Sequence, residues 1–364
     1  MTRILIIGGG ISGLSAAAAL APEAQVTLVE QEDAWGYHAS GRSAAMFLED
    51  YGNTTIRALN ALSAPYHRDL GVLTPRGVLI VATPETEADF ADDTATMTAH
   101  PQTVAEACAR VPILNPAAIS RAAFIPDAYD IDTGAFLHHY AKDATAHGAQ
   151  IVTGAHVTAI ERTPHGWTVA TSAGRFDTDL IVNAAGAWAD EIAVLAGLPP
   201  AGLVPYRRSM ARIPAPGGHD PRGWPMLLGA GERWYAKPDA GAWIISPAEE
   251  DATTPHDAYA DDMVIAEGIA RYQAHVTEPV TRLTTTWAGL RTFAPDRTPV
   301  IGADPADGTF FWLSGQGGYG FQIAPAAARL AACLITGKTP DLGAHSIAAL
   351  RPGRAGLGQT NSGR

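Results

Sequence analysis

RILIIGGGISGLSAAAALAPEAQVTLVE, residues 3–30, is the stretch that decides the fold. Five mostly apolar residues run into Gly8-x-Gly10-x-x-Gly13. An alanine-rich segment follows, then a second apolar run, Val26 to Val29, ending at Glu30. Strand, tight turn, helix and strand in that order have a physical task in holding a dinucleotide. Gly8 permits the turn off the strand. Gly10 has no Cβ, so backbone can approach a pyrophosphate. Gly13 lets the helix pack closely on the strand. The helix N-terminus offers free N–H groups and a positive dipole end to phosphates. Glu30 stands where an acidic side chain can accept hydrogen bonds from ribose hydroxyls. A bare GxGxxG could equally be a Gly-rich turn in another α/β protein. The strand before it, the helix after it and the acid favour the cofactor site, without separating FAD from NAD.

The rest of the chain agrees with a large soluble enzyme. Its 364 residues suffice for two domains or one large one. Hydrophobic residues make up 47% and charged residues 17%, an ordinary globular balance. The net charge is −12 and no basic run occurs, which argues against nucleic acid and against an anionic membrane surface. Cys108 and Cys333 are the only cysteines, with no CxxC and no His/Cys group at zinc spacing, so neither a disulfide framework nor a metal site is expected. A cytoplasmic location follows as the simpler expectation, at most peripheral to the inner membrane. The N-terminal apolar run superficially resembles a secretory signal, but the complete nucleotide motif explains the same residues better. No apolar run approaches the ~20 residues that span a bilayer.

Strand-like and helix-like patches alternate without an internal repeat. Residues 54–70 have helical spacing, RGVLIVATP (76–84) reads as a strand, and 85–110 as acidic, alanine-rich helix. Residues 131–149 read as a helix capped by Asp132 or Thr133. A run of strands follows, then a Pro-, Gly- and Trp-rich region with strand-like WYAKP and AWIISP, then a second acidic helical stretch over 257–274. Residues 298–337 hold two short strands, a Gly-rich turn and a helix.

Two further segments favour FAD. DLIVNAAGAWAD (179–190) carries an apolar strand into small residues that let backbone come close to something flat or phosphorylated; alone it would pass for an ordinary strand-to-helix turn. Gly315-Gln316-Gly317-Gly318-Tyr319-Gly320 precedes the last long helix. A helix pointing its positive end at the N1–C2 carbonyl edge of a flavin favours the reduced, negative form; a nicotinamide enzyme has no such need.

With GGGISGLSAA and Glu30, SGRSAA (40–45), VNAAGAWAD (182–190), WAGLRTFAPDRTPVIG (287–302) and GQGGYGFQIAPAAA (315–328) in this order, the chain resembles the D-amino acid oxidase superfamily of flavoproteins. GYHASGRSAA, YRRS, WYAKPDAG, ISPAEE and TWAGLR are similar to the bacterial D-arginine dehydrogenase type. The resemblance implies an α/β (α+β overall) chain: a Rossmann-like FAD-binding domain of the glutathione-reductase-like type, and a substrate domain with a mainly antiparallel sheet. The boundaries expected are 1–75, 131–200 and 291–345 for the FAD domain and 76–130 and 201–290 for the substrate domain, with 351–364 a loose tail. Noncovalent FAD is expected, since no cysteine lies near 287–320. The implied cofactor contacts are Gly8, Gly10, Ile11, Ser12, Gly13, Glu30, Gln31, Ser40, Gly41, Arg42, Ser43, Ala44, Ala45, Val157, Ala185, Gly186, Trp188, Gly315, Gly317, Gly318, Tyr319 and Gly320.

An amino-acid substrate brings a carboxylate, for which Arg supplies a planar fork. The resemblance assigns Arg208 and Arg291 to it, with Tyr51 and Tyr235 closing over the substrate; Arg207 remains an alternative to Arg208. Residues 43–54 are expected to form a mobile lid. Val78 stands where the arginine type carries an acid for the guanidinium, and Met46 where it carries a histidine. With Met226, Leu228 and Gly318 these make an apolar pocket suited to neutral D-amino acids. The chemistry implied is hydride transfer from Cα to the flavin, then imine hydrolysis to a 2-oxo acid and ammonia. A dehydrogenase is expected rather than an oxidase, with the electron acceptor itself left open between a quinone, an electron carrier and O2. An O2-using amino acid or amine oxidase, an NAD-dependent dehydrogenase and a nucleotide sensor remain the alternatives.

Overall fold

The computed structural model describes residues 1–358. Arg3–Ile7 lies in the middle of a six-stranded sheet, in the order 300–303, 310–314, 180–183, 3–7, 25–29, 150–152. All its pairings are parallel except the one between Val300–Ala303 and Phe310–Ser314. Its strands come from the first, middle and last parts of the chain, because parallel neighbours need crossovers.

Both faces of this sheet are covered, which is why its strands are apolar almost throughout. Helices Ile11–Leu20, Thr54–Leu70, Thr133–Ala146 and Gly320–Thr336 pack on one face, with Leu14, Leu28, Phe136 and Phe321 in a single core. On the other face a three-stranded antiparallel sheet (157–163, 166–171, 174–178) and helix Ala189–Leu195 bury Trp167, Phe310 and Trp312. The helix expected at 131–149 runs Thr133–Ala146, and its N-cap is Asp132, whose side chain accepts from Ala135 N–H.

The second large sheet has nine strands, drawn from residues 78–125 and 204–293. It is antiparallel apart from the pairing of Val78–Ala82 with Met226–Gly229. Strand alternation divides its side chains between two cores. Leu79, Val81, Leu227, Trp234 and Trp243 fill one. Val78, Ile80, Leu228, Met210 and Tyr235 fill the other, with Met46, Met226 and Trp287 packed against them. The α/β fold with a mainly antiparallel second sheet is therefore as the sequence implied.

Within the segment expected to be a lid, residues 46–48 form a strand paired with 128–130. One expectation needs correction. Residues 351–358 are tied down rather than loose: Arg354 bonds Asp296 and the Thr298 and Pro299 carbonyls, and Gly358 N–H donates to Ala201. A tail read as loose for want of apolar residues is held by polar bonds instead. The remainder of that tail, 359–364, lies outside the described residues.

Candidate active site

A large cavity of about 820 Å³ runs from the first βαβ unit to the nine-stranded sheet. Its cofactor-side wall is backbone. Helix Ile11–Leu20 starts at an N-cap, Gly10, that has no side-chain cap, so its first N–H groups face the opening, apart from Ile11, whose N–H donates to Ser40 Oγ at 3.0 Å. Gly8 sits at φ +109°, and a Cβ there would stand 2.4 Å from the Ala184 carbonyl oxygen. A Cβ on Gly13 would stand 1.8 Å from the Gly8 carbonyl oxygen, so helix and turn can meet only at glycine. Glu30 is buried beside the turn; its carboxylate accepts from Gly9 N–H at 2.6 Å and Glu32 N–H at 3.0 Å. These bonds hold a negative oxygen pair at the wall, where lone pairs remain for hydroxyl donors.

Of the sequence-named cofactor residues, Gly8, Gly10, Ile11, Ser12, Glu30, Gln31, Ser40, Arg42, Ser43, Ala44, Ala45, Val157, Ala185, Gly186, Trp188, Gly317, Gly318 and Gly320 line the cavity. Gly13, Gly41, Gly315 and Tyr319 do not; the glycines act one layer back. A Cβ on Gly41 would press on the Gly36 carbonyl oxygen at 2.4 Å. Arg42 is committed elsewhere: its guanidinium bonds Asp257 and the Ala258 and Ala288 carbonyls, fastening the 257–258 loop to the cofactor wall.

The opposite wall is side chains of the nine-stranded sheet. Arg208, Met210, Gly289 and Arg291 line it, from adjacent strands paired Arg208 to Gly289 and Tyr206 to Arg291. The two arginines are diagonal neighbours on one face, and Gly289 between them contributes no side chain. Gly318 leaves room for Arg291: a Cβ there would lie 3.3 Å from the guanidinium. Burial alone would lower the Arg291 pKa, but Tyr235, Tyr51, Glu232 and Glu250 around it raise it. Arg208 is buried and pairs with Glu250 at 3.2 Å, leaving its Nε without a partner among the described residues. Arg207 points to the other face, toward Asp251 at 2.7 Å.

Tyr51 donates its hydroxyl to Glu232 at 3.1 Å. Burial, then Glu232, pushes that hydroxyl far above the usual tyrosine range. Tyr235 is buried and its hydroxyl reaches Met210 Sδ at 3.5 Å. Of the residues expected to form the pocket, Met46 and Gly318 line the cavity, whereas Val78, Met226 and Leu228 do not; they lie behind it in the apolar cluster against which Met46 packs. Neither Tyr51 nor Tyr235 lines the cavity itself.

The sequence reading missed Glu232, Glu250, Lys237 and His38. Glu232 lies in a Gly-flanked turn at φ +51°, with nothing in its neighbourhood to mark it. His38 faces the cavity between Trp188, ring centroids 4.6 Å apart, and Glu32 at 2.8 Å.

The family model described as FAD dependent oxidoreductase (DAO) matches residues 3–334. A glycine oxidase of Pseudomonas aeruginosa is 32% identical over 180 residues, covering 47% of this chain and 46% of that protein. A D-amino acid dehydrogenase of Cereibacter sphaeroides is 43% identical over 74 residues, covering 19% and 16%. The matches thus span about half the length, or less, of these curated relatives. Glycine oxidase from Geobacillus kaustophilus superposes with a TM-score of 0.82 at 22% identity, covering 97% of this chain and 99% of that one. L-proline dehydrogenase from P. horikoshii does so at 0.80 and 23%, covering 96% of each. At such identities the two structures speak for the fold. With the glycine cradle and the matched model agreeing over most of its length, the chain belongs to the DAO family of FAD-dependent oxidoreductases and takes FAD as its cofactor.

Proposed function

We propose that the protein oxidises neutral, apolar D-amino acids to 2-oxo acids and ammonia, passing electrons to an acceptor other than O2. The observation that carries this reading is the diagonal pair Arg208 and Arg291 in the wall facing the FAD cradle. Two guanidiniums on one face grip a carboxylate by charge-assisted bonds, each contributing about 1.5–3 kcal/mol. Bound FAD supplies the hydride acceptor. The chain's part is to orient and to exclude water. Arg208 and Arg291 fix the carboxylate, and with it the direction of Cα. Met46 and Met210 keep that end of the cavity apolar. Tyr51, held by Glu232, stands beside Arg291. The Gly315–Gly320 turn brings the N-terminus of helix Gly320–Thr336 to the cavity, where its dipole favours negative charge.

The apolar cluster of Val78, Met210, Met226 and Leu228 supports a neutral side chain. A buried guanidinium without a partner is strongly disfavoured. The configuration at Cα rests on resemblance to the D-amino acid enzymes, and a cytoplasmic location and the boundaries given above for the FAD and substrate domains go with this reading. A panel of D- and L-amino acids with a dye acceptor tests it. D-leucine, D-methionine and D-phenylalanine should turn over faster than D-arginine; the reverse order sinks the side-chain assignment.

A second reading, an oxidase, is favoured by the likeness to a glycine oxidase. Stoichiometric hydrogen peroxide under air, with no need for dye, would establish it.

A further inference from the structure

Lys237 lies on the cavity-facing side of the nine-stranded sheet, two residues from Tyr235 on the same strand, yet it does not reach the cavity. It is 7% exposed. Its ammonium bonds Asp130 and donates to the Ala44 carbonyl at 2.8 Å. Asp130 also accepts from Arg76 Nε at 2.6 Å, and Arg76 continues to the Arg222 and Trp224 carbonyls. Nearby on the same face, Trp287 Nε1 donates to the Arg42 carbonyl at 3.1 Å. Two donors from one sheet thus hold the carbonyls on either side of Ser43. Ser43, Ala44 and Ala45 all line the cavity.

Peptide planarity makes this consequential. In a trans peptide the carbonyl of one residue and the N–H of the next point in opposite directions. Holding the Arg42 carbonyl toward the sheet turns the Ser43 N–H away from it. Holding the Ala44 carbonyl does the same to the Ala45 N–H, which settles on Ser43 Oγ at 3.2 Å. The orientation of this backbone is set by two side chains some 190 and 245 residues away in sequence.

We propose that Lys237 and Trp287 are positioning residues for the cofactor, fixing the peptide planes of 42–45 so that this backbone presents a rigid wall to FAD. Asp130 makes the buried ammonium tolerable, since a buried lysine without a carboxylate partner would shed its proton. Burial does pull Lys237 below the usual lysine range, and Asp130 opposes it. The pairing of Asp130 with Met46 continues the clamp into strand Met46–Leu48, so the Lys237–Asp130 ion pair joins the cofactor wall to the sheet that carries Arg208, alongside the Trp287 bond. The inference depends on FAD binding and not on which amine is oxidised.

Lys237→Met and Trp287→Phe test it. Lys237→Met removes the donor and its charge at similar bulk; Trp287→Phe removes a neutral donor and keeps a ring. The measurements are FAD release from the holoprotein by flavin fluorescence, the shape of the visible flavin absorption band, and melting of the apoprotein. Lys237→Met is expected to weaken FAD binding about tenfold and Trp287→Phe about threefold. Both should alter the flavin band, with larger losses in holoprotein than in apoprotein stability. Unchanged FAD affinity and band shape in Trp287→Phe would overturn the proposal, even if Lys237→Met failed to fold. Equal destabilisation of apo and holo Lys237→Met with native affinity would overturn it as well. Neither readout involves substrate, so a wrong substrate assignment would leave them untouched.

Discussion

The six-stranded and nine-stranded sheets face one cavity and work in opposite ways. The first offers backbone: a helix N-terminus, turns that only glycine can make, and one carboxylate. The second offers side chains, alternating along strands that are distant in sequence. Backbone sites tolerate little change at a few contiguous positions. Side-chain sites spread their tolerance over many.

That contrast ranks the outcomes of mutation. Gly13→Ala should do most damage, because its Cβ would fall 1.8 Å from backbone that cannot move aside. A loss of about 3 kcal/mol or more is expected, together with FAD, read by thermal denaturation and by the colour of the purified protein. A yellow, normally stable Gly13→Ala protein would remove the backbone half of the comparison.

Arg291→Met should come next and leave a different trace. FAD should stay bound while kcat/KM falls by roughly 10²–10³-fold, a cost of about 3–4 kcal/mol, within the range for truncating a buried charged partner. Flavin loss from this variant would mean that the second sheet also serves the cofactor through Arg291.

Arg208→Met and Arg207→Met sharpen the division between the two faces of one strand. The Arg208 change should raise KM by about tenfold or more. The Arg207 change, which disturbs a pair with an exposed Asp251, should cost no more than about 1 kcal/mol of stability and leave KM alone. Equal effects would erase the alternation argument.

A further contrast is a pH dependence, with one histidine in each half. His67 is buried against Phe47 and Phe136, and its Nε2 faces the Gln322 carbonyl at 2.8 Å. Its Nδ1 has no partner among the described residues. His275 packs on Trp234 behind the other sheet. Burial holds both below the usual histidine range. The unfolded chain therefore binds more protons just below pH 6.5. Stability should fall as pH drops through that value, by up to about 1.4 kcal/mol per pH unit per histidine. Denaturation of His67→Gln and His275→Gln between pH 5 and 7 should show a shallower slope in each. An unchanged slope in one would show which half is insensitive to acid.

The glycine fingerprint, the helices at 54–70 and 133–146, and the strand at 78–82 were legible because each depends on residues close together in sequence. Glu232 and Lys237 were not. Glu232 matters through Tyr51, and Lys237 through Ala44, contacts that cross 181 and 193 residues. Resemblance named Arg208 over Arg207; that Arg208 lines the cavity and Arg207 does not follows from the face of the strand, which YRRS alone does not disclose. The strand at 46–48 was not legible for the same reason: its partner, 128–130, is distant in sequence.

By itself, then, the amino-acid order determined that a dinucleotide fold begins at residue 3, since steric demands on glycine and apolar periodicity act over a few bonds. Only the folded molecule decided which charges meet across the cavity. Side-chain electrostatics act through space, and strand register, set by the whole sheet, chooses the partners.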